Sequence, residues 1–465
     1  MIESSQMNLA LHIVVLAAGG GSRMKSARAK VLQKLAGKSM LAHVLAAAET
    51  LNPAKIHVVY GHLGAQVRAE FAEPEYSAIH WVLQDVQAGT GDAVRRVMPD
   101  IPDNARVMVL YGDSPALLPE TLAKLLSQSG LAVLVSDVPA PAGLGRVVLD
   151  AKDHVLEIVE AKDASADQLA IQTVNTGVLV ANSVQLRGWL QRLTPNNQQR
   201  ELYLTQIFEF AAREALAAKA VRTADAFEGF GANDAWELAQ LERYLQNRTL
   251  AKLCKSFGLR VSDPARVDVR CSNIELGRDV ELDVNVILEG HIRFENEVKI
   301  GPFCRIRDCD LAAGTEVLGH CDLDGVRTTG ACRIGPFARL RPGTELAEGA
   351  HIGNFVETKK AKLGRASKAN HLSYLGDADI GAHVNIGAGT ITCNYDGVNK
   401  SITQISDGAF IGSNSALVAP VKIGANATIG AGSTISKDAP PDALTLSRTR
   451  QFSLAHWHRP EKRSK

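Results

Sequence analysis

The chain of 465 residues is too long for a single hydrophobic core, so two or more domains are expected. Its 51 lysines and arginines nearly balance its 50 aspartates and glutamates, which argues against a molecule drawn as a whole onto nucleic acid or an anionic membrane. Any anionic ligand must therefore be bound by local clusters of charge.

Cysteine spacing and the chain ends point to a cytoplasmic location. The seven cysteines show no CxxC pair and no metal-like spacing with histidine, so we interpret them as reduced thiols. The first ten residues lack the features of a secretory signal, and no window approaches the ~18 apolar residues of a membrane-spanning helix. We expect no membrane span and a solvated basic end at 459–465.

Residues 1–232 have the pattern of an α/β domain. Apolar runs lie at 12–18, 56–60, 107–110 and 131–135, and helical patterns lie at 40–51 and 121–128. This alternation predicts a Rossmann-like fold with a parallel sheet covered on both faces. Ligands of such folds lie at the carboxyl ends of the strands.

A glycine-rich turn, 19–21, follows the first strand directly, and Arg23 and Lys30 lie just beyond it. Glycines at this place let backbone amides approach a polyphosphate, which the two cations can neutralise. Neither the Walker pattern nor GxGxxG is present, so the turn by itself is weak support for phosphate binding.

Asp113 follows the apolar run 107–110, so we expect its carboxylate at the same end of the sheet as the glycine turn. A carboxylate there can hold Mg²⁺ between substrate phosphates. The alternative is a structural cap of a turn or helix.

One helix is predicted as a linker over 233–258. Its apolar residues are spaced for a single helix among charged residues: Trp236, Leu238, Leu241, Leu245, Leu253 and Phe257. It separates the first domain from a third region, 259–465.

The third region repeats with a strict period of six. The bulky apolar residues at this period are Leu276, Leu282, Leu288, Phe294, Ile300 and Ile306, then Ile334, Leu340, Leu346 and Ile352, then Ile405, Ile411, Leu417, Ile423, Ile429 and Ile435. Neither a helix nor an ordinary strand keeps this period, which is typical of a parallel β-helix with one inward residue per hexad. The repeat is expected to reach about residue 447, with one polar loop at 393–404.

A polar and cationic set lies inside this repeat although the β-helix does not need it: Arg341, Lys359, Lys360, His371, Tyr374, Asn385, Asn394, Tyr395, Ser413 and Arg448. Acetyl transfer to an amine needs a base, for which histidine is suited, and donors for the oxyanion. Taken alone, His371 is more often structural and the loop could be merely solvated. An acyl-cysteine at Cys393 is a further alternative, but no neighbouring residue would lower its pKa, so we treat it as structural.

The first domain resembles the sugar-1-phosphate nucleotidylyltransferases. The resemblance lies in LAAGGGSRM with Lys30, Gln84, Gly89 and Thr90, Tyr111 to Asp113, Gly145 and Arg146, Glu160, and Asn175 to Gly177. With the hexapeptide region, residues 9 to about 450 resemble the bacterial bifunctional N-acetylglucosamine-1-phosphate uridyltransferases/glucosamine-1-phosphate acetyltransferases.

This resemblance implies a left-handed β-helix and a two-step enzyme. It would acetylate glucosamine-1-phosphate with acetyl-coenzyme A and then transfer UMP from UTP to N-acetylglucosamine-1-phosphate, releasing pyrophosphate. The product, UDP-N-acetylglucosamine, would serve peptidoglycan and lipopolysaccharide synthesis.

The resemblance also implies which residues form the uridylyl-transfer site. The nucleotide and the acetylated sugar would be bound by Leu16, Ala17, Ala18, Gly19, Lys30, Gln84, Gly89, Thr90, Tyr111, Gly112, Asp113, Gly145, Glu160, Asn175 and Asn233. Asp113 and Asn233 would hold Mg²⁺, and Arg23 with Lys30 would neutralise phosphate charge. No protein nucleophile is required, because the sugar phosphate attacks the α-phosphorus directly.

In the acetyltransferase site, the resemblance makes His371 the general base. The sugar phosphate would be bound by Arg341, Lys359, Tyr374 and Asn385, and acetyl-coenzyme A by Ala388, Asn394, Tyr395, Ser413, Ala431 and Arg448. We expect the β-helix to bring His371 beside cations from other coils. In the family this site lies between subunits, so a homotrimer is expected, and the flat sides of a β-helix suit threefold assembly.

Four positions depart from the family: Gly20 for lysine, Ser22 for threonine, Ala29 for proline and Asp92 for histidine. Loss of the proline is expected to loosen Lys30, with activity retained but substrate affinity altered. Two rival interpretations remain: a single enzyme with a scaffolding β-helix, and a non-catalytic nucleotide-sugar binding protein. The matched residues around His371 argue against the first, and Asp113 with Asn233 argues against the second.

Overall fold

The computed structural model describes residues 9–139, 141, 143–216 and 218–459. The expectations for the first eight residues, and for 460–465 of the basic end, lie outside this part of the chain. The chain divides into two compact units, one up to Leu245 and one from Gln246 onward. The division falls inside the predicted linker helix.

In the described residues up to Phe257, the chain forms eleven strands and eight α-helices. The strands are β1 (Ala10–Ala17), β2 (Lys34–Leu35), β3 (Lys38–Ser39), β4 (Lys55–Tyr60), β5 (His80–Leu83), β6 (Ala105–Tyr111), β7 (Ala132–Asp137), β8 (Arg146–Leu149), β9 (His154–Val159), β10 (Thr173–Asn182) and β11 (Ala218–Arg222). The α-helices are α1 (Met40–Glu49), α2 (Gly64–Glu70), α3 (Thr90–Val97), α4 (Pro119–Leu126), α5 (Ala166–Leu169), α6 (Ser183–Gln191), α7 (Gln206–Arg213) and α8 (Ala235–Phe257). Single 3₁₀ turns lie at Ser22–Met24, Lys30–Leu32, Pro74–Tyr76 and Met98–Asp100.

The main sheet has the order β5-β4-β1-β6-β10-β7-β11-β9-β8. Its first four strands are parallel, as predicted. The four strands predicted from the sequence run in one direction, but the sheet as a whole is mixed, because β10 runs antiparallel to β6 and β7, and β8 and β9 form an antiparallel hairpin. A tight turn joins β8 to β9, and so short a connection forces antiparallel pairing.

Both faces of this sheet are covered, which confirms that part of the prediction. Alternate residues of β1 enter two separate apolar clusters: Val14 belongs to one, and Ile13 and Val15 belong to the other. This division follows from the two-residue period of a strand. The carboxyl ends of the parallel strands are left as the edge where a ligand can bind.

Helix α8 lies where the linker helix is predicted, and the division between the two units falls within it. Leu241 and Leu245 pack in an apolar cluster of the first unit, and Leu250 and Leu253 pack in the core of the second. Two of the apolar residues used for the prediction are not buried: Trp236 is 72% exposed and Phe257 is 48% exposed. They lie in the first and last turns, where the helix has fewer neighbours.

The second unit consists of short strands. They are β12 (Arg260–Val261), β13 (Val267–Leu276), β14 (Glu281–Leu282), β15 (Val286–Phe294), β16 (Lys299–Ile300), β17 (Arg305–Leu311), β18 (Glu316–Val317), β19 (Asp322–Asp324), β20 (Val326–Thr328), β21 (Arg333–Ile334), β22 (Arg339–Leu340), β23 (Thr344–Leu346), β24 (His351–Asn354), β25 (Glu357–Leu363), β26 (Lys368–His371), β27 (Tyr374–Ile380), β28 (Asn385–Ile386), β29 (Ile391–Cys393), β30 (Thr403–Ile405), β31 (Phe410–Ile411), β32 (Ala416–Val418), β33 (Val421–Ile423), β34 (Thr428–Ile429), β35 (Thr434–Ile435) and β36 (Leu444–Thr445). A 3₁₀ turn lies at Pro264–Arg266.

These strands form a left-handed parallel β-helix, as predicted. One face is an eleven-stranded sheet that begins β12-β14-β16, and a fourteen-stranded sheet supplies the rest of each coil. Leu282 pairs with Ile300 and Ile411 pairs with Ile429, each eighteen residues on, which equals three hexads. The inward residues of the three runs are buried, except that Leu276 is partly buried.

The solenoid continues where the sequence period is lost. Ile300 pairs with Val317, and Val317 pairs with Ile334, each only seventeen residues on. The six-residue repeat of the second run is therefore out of step with that of the first run. Inward positions are also filled by small residues there, such as the fully buried Thr358 and Ala369. The polar loop is present but shorter than predicted, because Cys393 and Gln404 belong to strands β29 and β30.

Candidate active sites

The glycine turn and Asp113 lie at the same end of the sheet, as predicted. Leu16 pairs with Tyr111 across the parallel strands β1 and β6, and the Gly112 amide donates to the Leu16 carbonyl at 2.9 Å. A Cβ on Gly112 would lie 3.2 Å from both the Ala17 Cβ and the Leu16 oxygen. Glycine at 112 therefore lets the two strand ends approach, which sets Asp113 beside the turn.

Lys30 connects the glycine turn with two oxygen ligands. Gly21 has φ +60, and a Cβ there would lie 2.7 Å from the Lys30 Cβ, so only glycine fits against this side chain. The Lys30 ammonium bonds the Asp113 carboxylate and lies 2.9 Å from the Asn233 Oδ1. Three residues far apart in sequence thus form one polar centre at the sheet edge.

Asn233 is held by the start of α8. The Asp234 carboxylate accepts from the amides of Trp236 and Glu237, both at 2.9 Å, and caps the helix. The Glu237 carboxylate in turn accepts from the Asn233 amide at 2.7 Å. These reciprocal bonds fix the backbone from which the Asn233 side chain reaches Lys30.

The oxygens of Asp113 and Asn233 fit a magnesium ion by their chemistry. A carboxylate and an amide carbonyl are hard oxygen ligands, and both already converge on one cation, the Lys30 ammonium. Mg²⁺ is commonly held by one or two protein oxygens together with substrate phosphates and water. The donor set is therefore compatible with the expected metal.

Gly145, Glu160 and Asn175 form a second group. The Asn175 amide donates to the Gly145 carbonyl at 2.9 Å, and a Cβ on Gly145 would lie 3.4 Å from the Glu160 carboxylate. Burial raises the pKa of Glu160. Glycine at 145 leaves room beside a carboxylate that can accept hydrogen bonds from a ligand.

Tyr111 lies between the two groups of the sheet edge. Its ring packs on Gly177, where φ is +82 and a Cβ would lie 2.3 Å from a ring carbon. Burial, followed by the charge of Glu160, raises the pKa of the Tyr111 phenol. The phenol therefore stays protonated as a rigid wall of the site.

Gln84, Gly89 and Thr90 follow β5 and lead into α3. Gly89 has φ +106, and a Cβ there would lie 2.6 Å from the Leu202 carbonyl oxygen. The Thr90 hydroxyl accepts from the Leu204 amide at 3.1 Å. The Gln84 amide nitrogen donates to the Gly89 carbonyl at 3.1 Å, so this segment is internally bonded.

The remaining residues of this site are less constrained. Leu16 and Ala17 end β1, and Ala18 and Gly19 follow at the same edge. Arg23 is exposed in its 3₁₀ turn, and within the described ranges no contact joins it to Lys30 or Asp113.

The backbone at Ala29, for which the sequence predicts a loosened Lys30, is held by a hydrogen bond. Ala29 has φ −54, the value that proline itself would impose, and it is buried. Its amide donates to the Gln66 Oε1 at 3.1 Å, and the Gln66 Nε2 donates to the Ala27 carbonyl at 3.0 Å. A hydrogen bond that proline cannot make thus holds the backbone before Lys30.

In the β-helix, the predicted base and most of the predicted coenzyme A residues form one column along a corner. Asn354, His371, Ala388, Ser413 and Ala431 each precede a residue of positive φ at this corner in successive coils. Backbone bonds connect the levels, for example from the Gly432 amide to the Ser413 carbonyl at 2.8 Å. Arg448 reaches the end of the column, where its guanidinium donates to the Ala431 carbonyl at 2.8 Å.

Asn354 is a site residue that the sequence analysis missed. Its Oδ1 lies 2.7 Å from the His371 Nδ1. Because a carbonyl oxygen only accepts, Nδ1 carries the proton in the neutral ring, and Nε2 is left as the proton acceptor. The signal in the sequence was its position one coil, seventeen residues, before His371.

The predicted cations form a separate cluster. Arg341 pairs with Glu357 at 2.9 Å, and Lys359 lies beside Lys400. The ammonium of Lys400, and after it the guanidinium of Arg341, lower the pKa of Lys359. Such a concentration of positive charge is suited to an anion, and Lys400 is a second residue that the sequence analysis missed.

The polar loop carries Lys400 to this cluster. Tyr395 and Lys400 pair as an antiparallel bridge, and the side-chain Nδ2 of Asn394 donates to the Asp377 carboxylate. The Tyr395 hydroxyl donates to the Gly397 carbonyl, which closes the loop on itself. The loop is therefore ordered by its own contacts.

Within the described residues of one chain, no hydrogen bond or ion pair joins His371 to the predicted cations, so their approach to His371 stays a prediction. His371 ends β26, whereas Lys359 pairs with Gly376 of the next strand, β27, and the corner at Leu372, where φ is +50, lies between the two strands. Tyr374 begins β27, with its hydroxyl over Gly376. Asn385 lies on the eleven-stranded sheet, between Lys368 and Phe410. His371 and Lys359 thus lie on different sheets of the β-helix, His371 on the eleven-stranded sheet and Lys359 on the fourteen-stranded sheet.

Two family models match the chain and define its class. Residues 13–201 match the MobA-like NTP transferase domain, and residues 402–437 match the bacterial transferase hexapeptide of six repeats. The chain therefore joins a nucleotidyltransferase domain to a hexapeptide-repeat transferase region. In the described part of the chain, no helix is long and apolar enough to cross a membrane.

Curated relatives match almost the whole chain. It is 57% identical over 460 residues to the bifunctional protein GlmU of Stenotrophomonas maltophilia strain R551-3, and 56% identical over 460 residues to that of strain K279a. It is 57% identical over 459 residues to the same protein of Xanthomonas axonopodis pv. citri strain 306. Each match covers 98% of this chain and 100% of the relative.

The chain belongs to the bifunctional GlmU family. It is a bifunctional transferase with nucleotidyltransferase and acetyltransferase activities, and the two-step function expected from the sequence is confirmed. The scaffolding and binding-protein alternatives are set aside. A solved structure of a putative glucose-1-phosphate thymidylyltransferase from Bacillus anthracis is 18% identical and covers 50% of this chain and 95% of its own, with a TM-score of 0.41. That likeness is too weak to add to the assignment.

Proposed function

We propose that the polar centre of Lys30, Asp113 and Asn233 is where UTP and N-acetylglucosamine-1-phosphate react. The observation that carries this proposal is the Lys30 ammonium, bonded to both oxygen ligands directly against the glycine turn. A cation at this point is ready to exchange carboxylate and amide oxygens for phosphate oxygens. Backbone amides of the turn add donors for the same phosphates.

The chemistry at this centre is an in-line displacement. A phosphate oxygen of the sugar phosphate forms a bond to the α-phosphorus of UTP, and the bond to the bridging oxygen breaks and releases pyrophosphate. Lys30 and the exposed Arg23 neutralise charge on the phosphates, and Gly145, Glu160 and Asn175 orient the sugar. Asp113 and Asn233 would hold Mg²⁺, which would supply further neutralisation of phosphate charge.

The column at the corner of the β-helix is proposed as the acetyl-transfer site. The amine nitrogen of glucosamine-1-phosphate forms a bond to the thioester carbon of acetyl-coenzyme A, the carbon–sulfur bond breaks, and the coenzyme leaves as its thiol. The His371 Nε2 takes the amine proton, because Asn354 holds the proton of the ring on Nδ1. Ala388, Ser413, Ala431 and Arg448 continue the column as the coenzyme surface, with Asn394 and Tyr395 on the adjoining loop.

The sugar phosphate of the acetyl-transfer step is proposed to bind at Arg341, Lys359 and Lys400, with Tyr374 and Asn385 as further contacts. His371 and Lys359 lie on different sheets, and within the described residues of one chain no hydrogen bond or ion pair joins His371 to these cations. This separation supports a homotrimer with sites between subunits. A cytoplasmic location is also proposed, because the cysteines are free thiols and both co-substrates are intracellular metabolites.

The two-site proposal is tested by matched substitutions in the full chain. His371→Ala is expected to abolish acetylation of glucosamine-1-phosphate and to leave pyrophosphate release from UTP unchanged, while Asp113→Ala is expected to do the reverse. His291→Ala and Asp103→Ala, at exposed positions outside both sites, serve as controls. Loss of both activities from either site substitution would contradict two independent sites.

A further inference from the structure

Asp92 is a buried carboxylate in the first turn of α3. It is 5% exposed, and its oxygens accept from the Arg96 Nε at 2.9 Å, from the Gln84 Nε2 at 3.0 Å and from Arg95 at 3.1 Å. A buried carboxylate is costly unless such donors compensate it. Burial acts to raise its pKa, but the bonds from Gln84, Arg96 and Arg95 outweigh burial and lower the pKa.

Gln84 is equally buried, at 4% exposed, and both partners of its Nε2 are pure acceptors. One is the Asp92 carboxylate and the other is the Gly89 carbonyl, at 3.1 Å. Because neither carries a hydrogen, only the nitrogen end of the amide can face them. The Oε1 end is consequently turned the other way.

The carboxylate is itself clamped. The Arg96 guanidinium binds Asp92 and also Asp85, at 2.6 Å, and Asp85 directly follows Gln84 in the chain. The same guanidinium lies 3.4 Å from the Leu83 carbonyl. Asp92 is thus tied to both ends of the short segment that carries Gln84, and it cannot turn away without breaking these bonds.

We propose that Asp92 is a positioning residue that sets base specificity, by locking the Gln84 amide so that Oε1 accepts from the imide N–H of a uracil-type ring. The proposal rests on the proposed function and takes Gln84 as a contact of the uridine nucleotide, the role that the family resemblance implies. Cytosine has no hydrogen on the corresponding ring nitrogen, so the locked amide leaves two acceptors facing each other. A site built to bond one such hydrogen rejects an analogue without it.

Asp92→Asn is the informative substitution because it keeps the volume and removes one of the two pure acceptors that orient the Gln84 amide, leaving the Gly89 carbonyl as the other. An asparagine at 92 can donate to the Gln84 Oε1, which lets the Gln84 amide turn over and present its NH₂ group to the base. We expect kcat/KM for UTP to fall about ten-fold, mainly through KM, and the preference for UTP over CTP to narrow by a similar factor. Acetylation of glucosamine-1-phosphate should be unchanged in Asp92→Asn. The control variant Asp103→Asn should have the same kinetics with UTP and CTP as the wild type.

The experiment measures uridylyl and cytidylyl transfer by the full chain carrying Asp92→Asn, Gln84→Leu or Asp103→Asn. An equal fall with both nucleotides, or an unchanged preference, would overturn the role of Asp92. If Gln84→Leu narrows the preference and Asp92→Asn does not, Gln84 contacts the base but Asp92 does not position it. If neither variant changes the preference, the nucleotide contact of Gln84 is also wrong. Should Asp92→Asn fail to fold, Arg96→Gln is the substitute, because it loosens the same carboxylate. We expect Arg96→Gln to narrow the preference for UTP over CTP about three-fold. An unchanged preference in that variant would overturn the inference.

Discussion

Three imidazoles, those of His12, His57 and His80, form a hydrogen-bonded row across the neighbouring strands β1, β4 and β5. The His57 Nε2 lies 3.0 Å from the His12 Nδ1, and the His57 Nδ1 lies 3.0 Å from the His80 Nδ1. His57 is 1% exposed, and burial first, then the charges of His12, His80 and Lys55, lower the pKa of His57 to about 4. His80 is the outer member of the row and lies 3.8 Å from Asp100.

This row predicts that the first unit loses stability in weak acid. Between pH 6.5 and pH 4 the unfolded chain binds a proton at His57 that the folded chain does not, so protonation favours unfolding in that window. With a folded pKa of about 4 against a usual value of 6.5, lowering the pH from 7 to 5 should remove about 2 kcal/mol of unfolding free energy. Below about pH 4 both states are protonated and this contribution stops changing.

The measurement compares urea unfolding of the wild type with that of His57→Asn at pH 7 and pH 5. Fluorescence of the buried Trp189 follows the first unit. The asparagine does not titrate, so the wild type should lose about 2 kcal/mol more than the variant over this interval, while His62→Asn, at an exposed position, should behave as the wild type. Equal pH dependence of wild type and His57→Asn would refute the reasoning.

Two further predictions concern residues that the structure brought into the sites. Asn354→Ala should lower kcat of acetylation about ten-fold, because the His371 ring is no longer held in one tautomer, and uridylyl transfer should be unchanged. Asn354→Asp should retain more acetylation activity and move the acid limb of its pH profile to higher pH. An unshifted pH profile in the aspartate variant would contradict this. Ala29→Pro should destabilise the first unit by about 1 kcal/mol, because it removes the bond to the Gln66 Oε1. In a Gln66→Ala background the same proline should be neutral or slightly stabilising in urea unfolding, and an undiminished cost there would disprove the role of that bond.

The β-helix could be predicted from sequence because each coil has inward positions that accept large apolar side chains at a fixed spacing. The six-residue pattern cannot be recognised where the coil shortens from eighteen residues to seventeen, as between Ile300 and Val317. It is also lost where Thr358 or Ala369 fills the inward position. There the backbone pairing continues although the side-chain pattern does not. Pairing between coils is a property of the folded chain.

The same division holds for the sites. The glycine turn 19–21 follows one strand and Asp113 follows another. The sequence therefore predicted that they lie at the same edge of the sheet, since parallel strands have their carboxyl ends on one side. The contact of Lys30 with Asn233, the pairing of Asn354 with His371, and the approach of Lys400 to Lys359 depend on helix caps, coil register and a loop. Residue types and local spacing thus determine which elements form, whereas only the packed structure determines which distant side chains share a hydrogen bond, because each such contact requires several elements to hold one register at once.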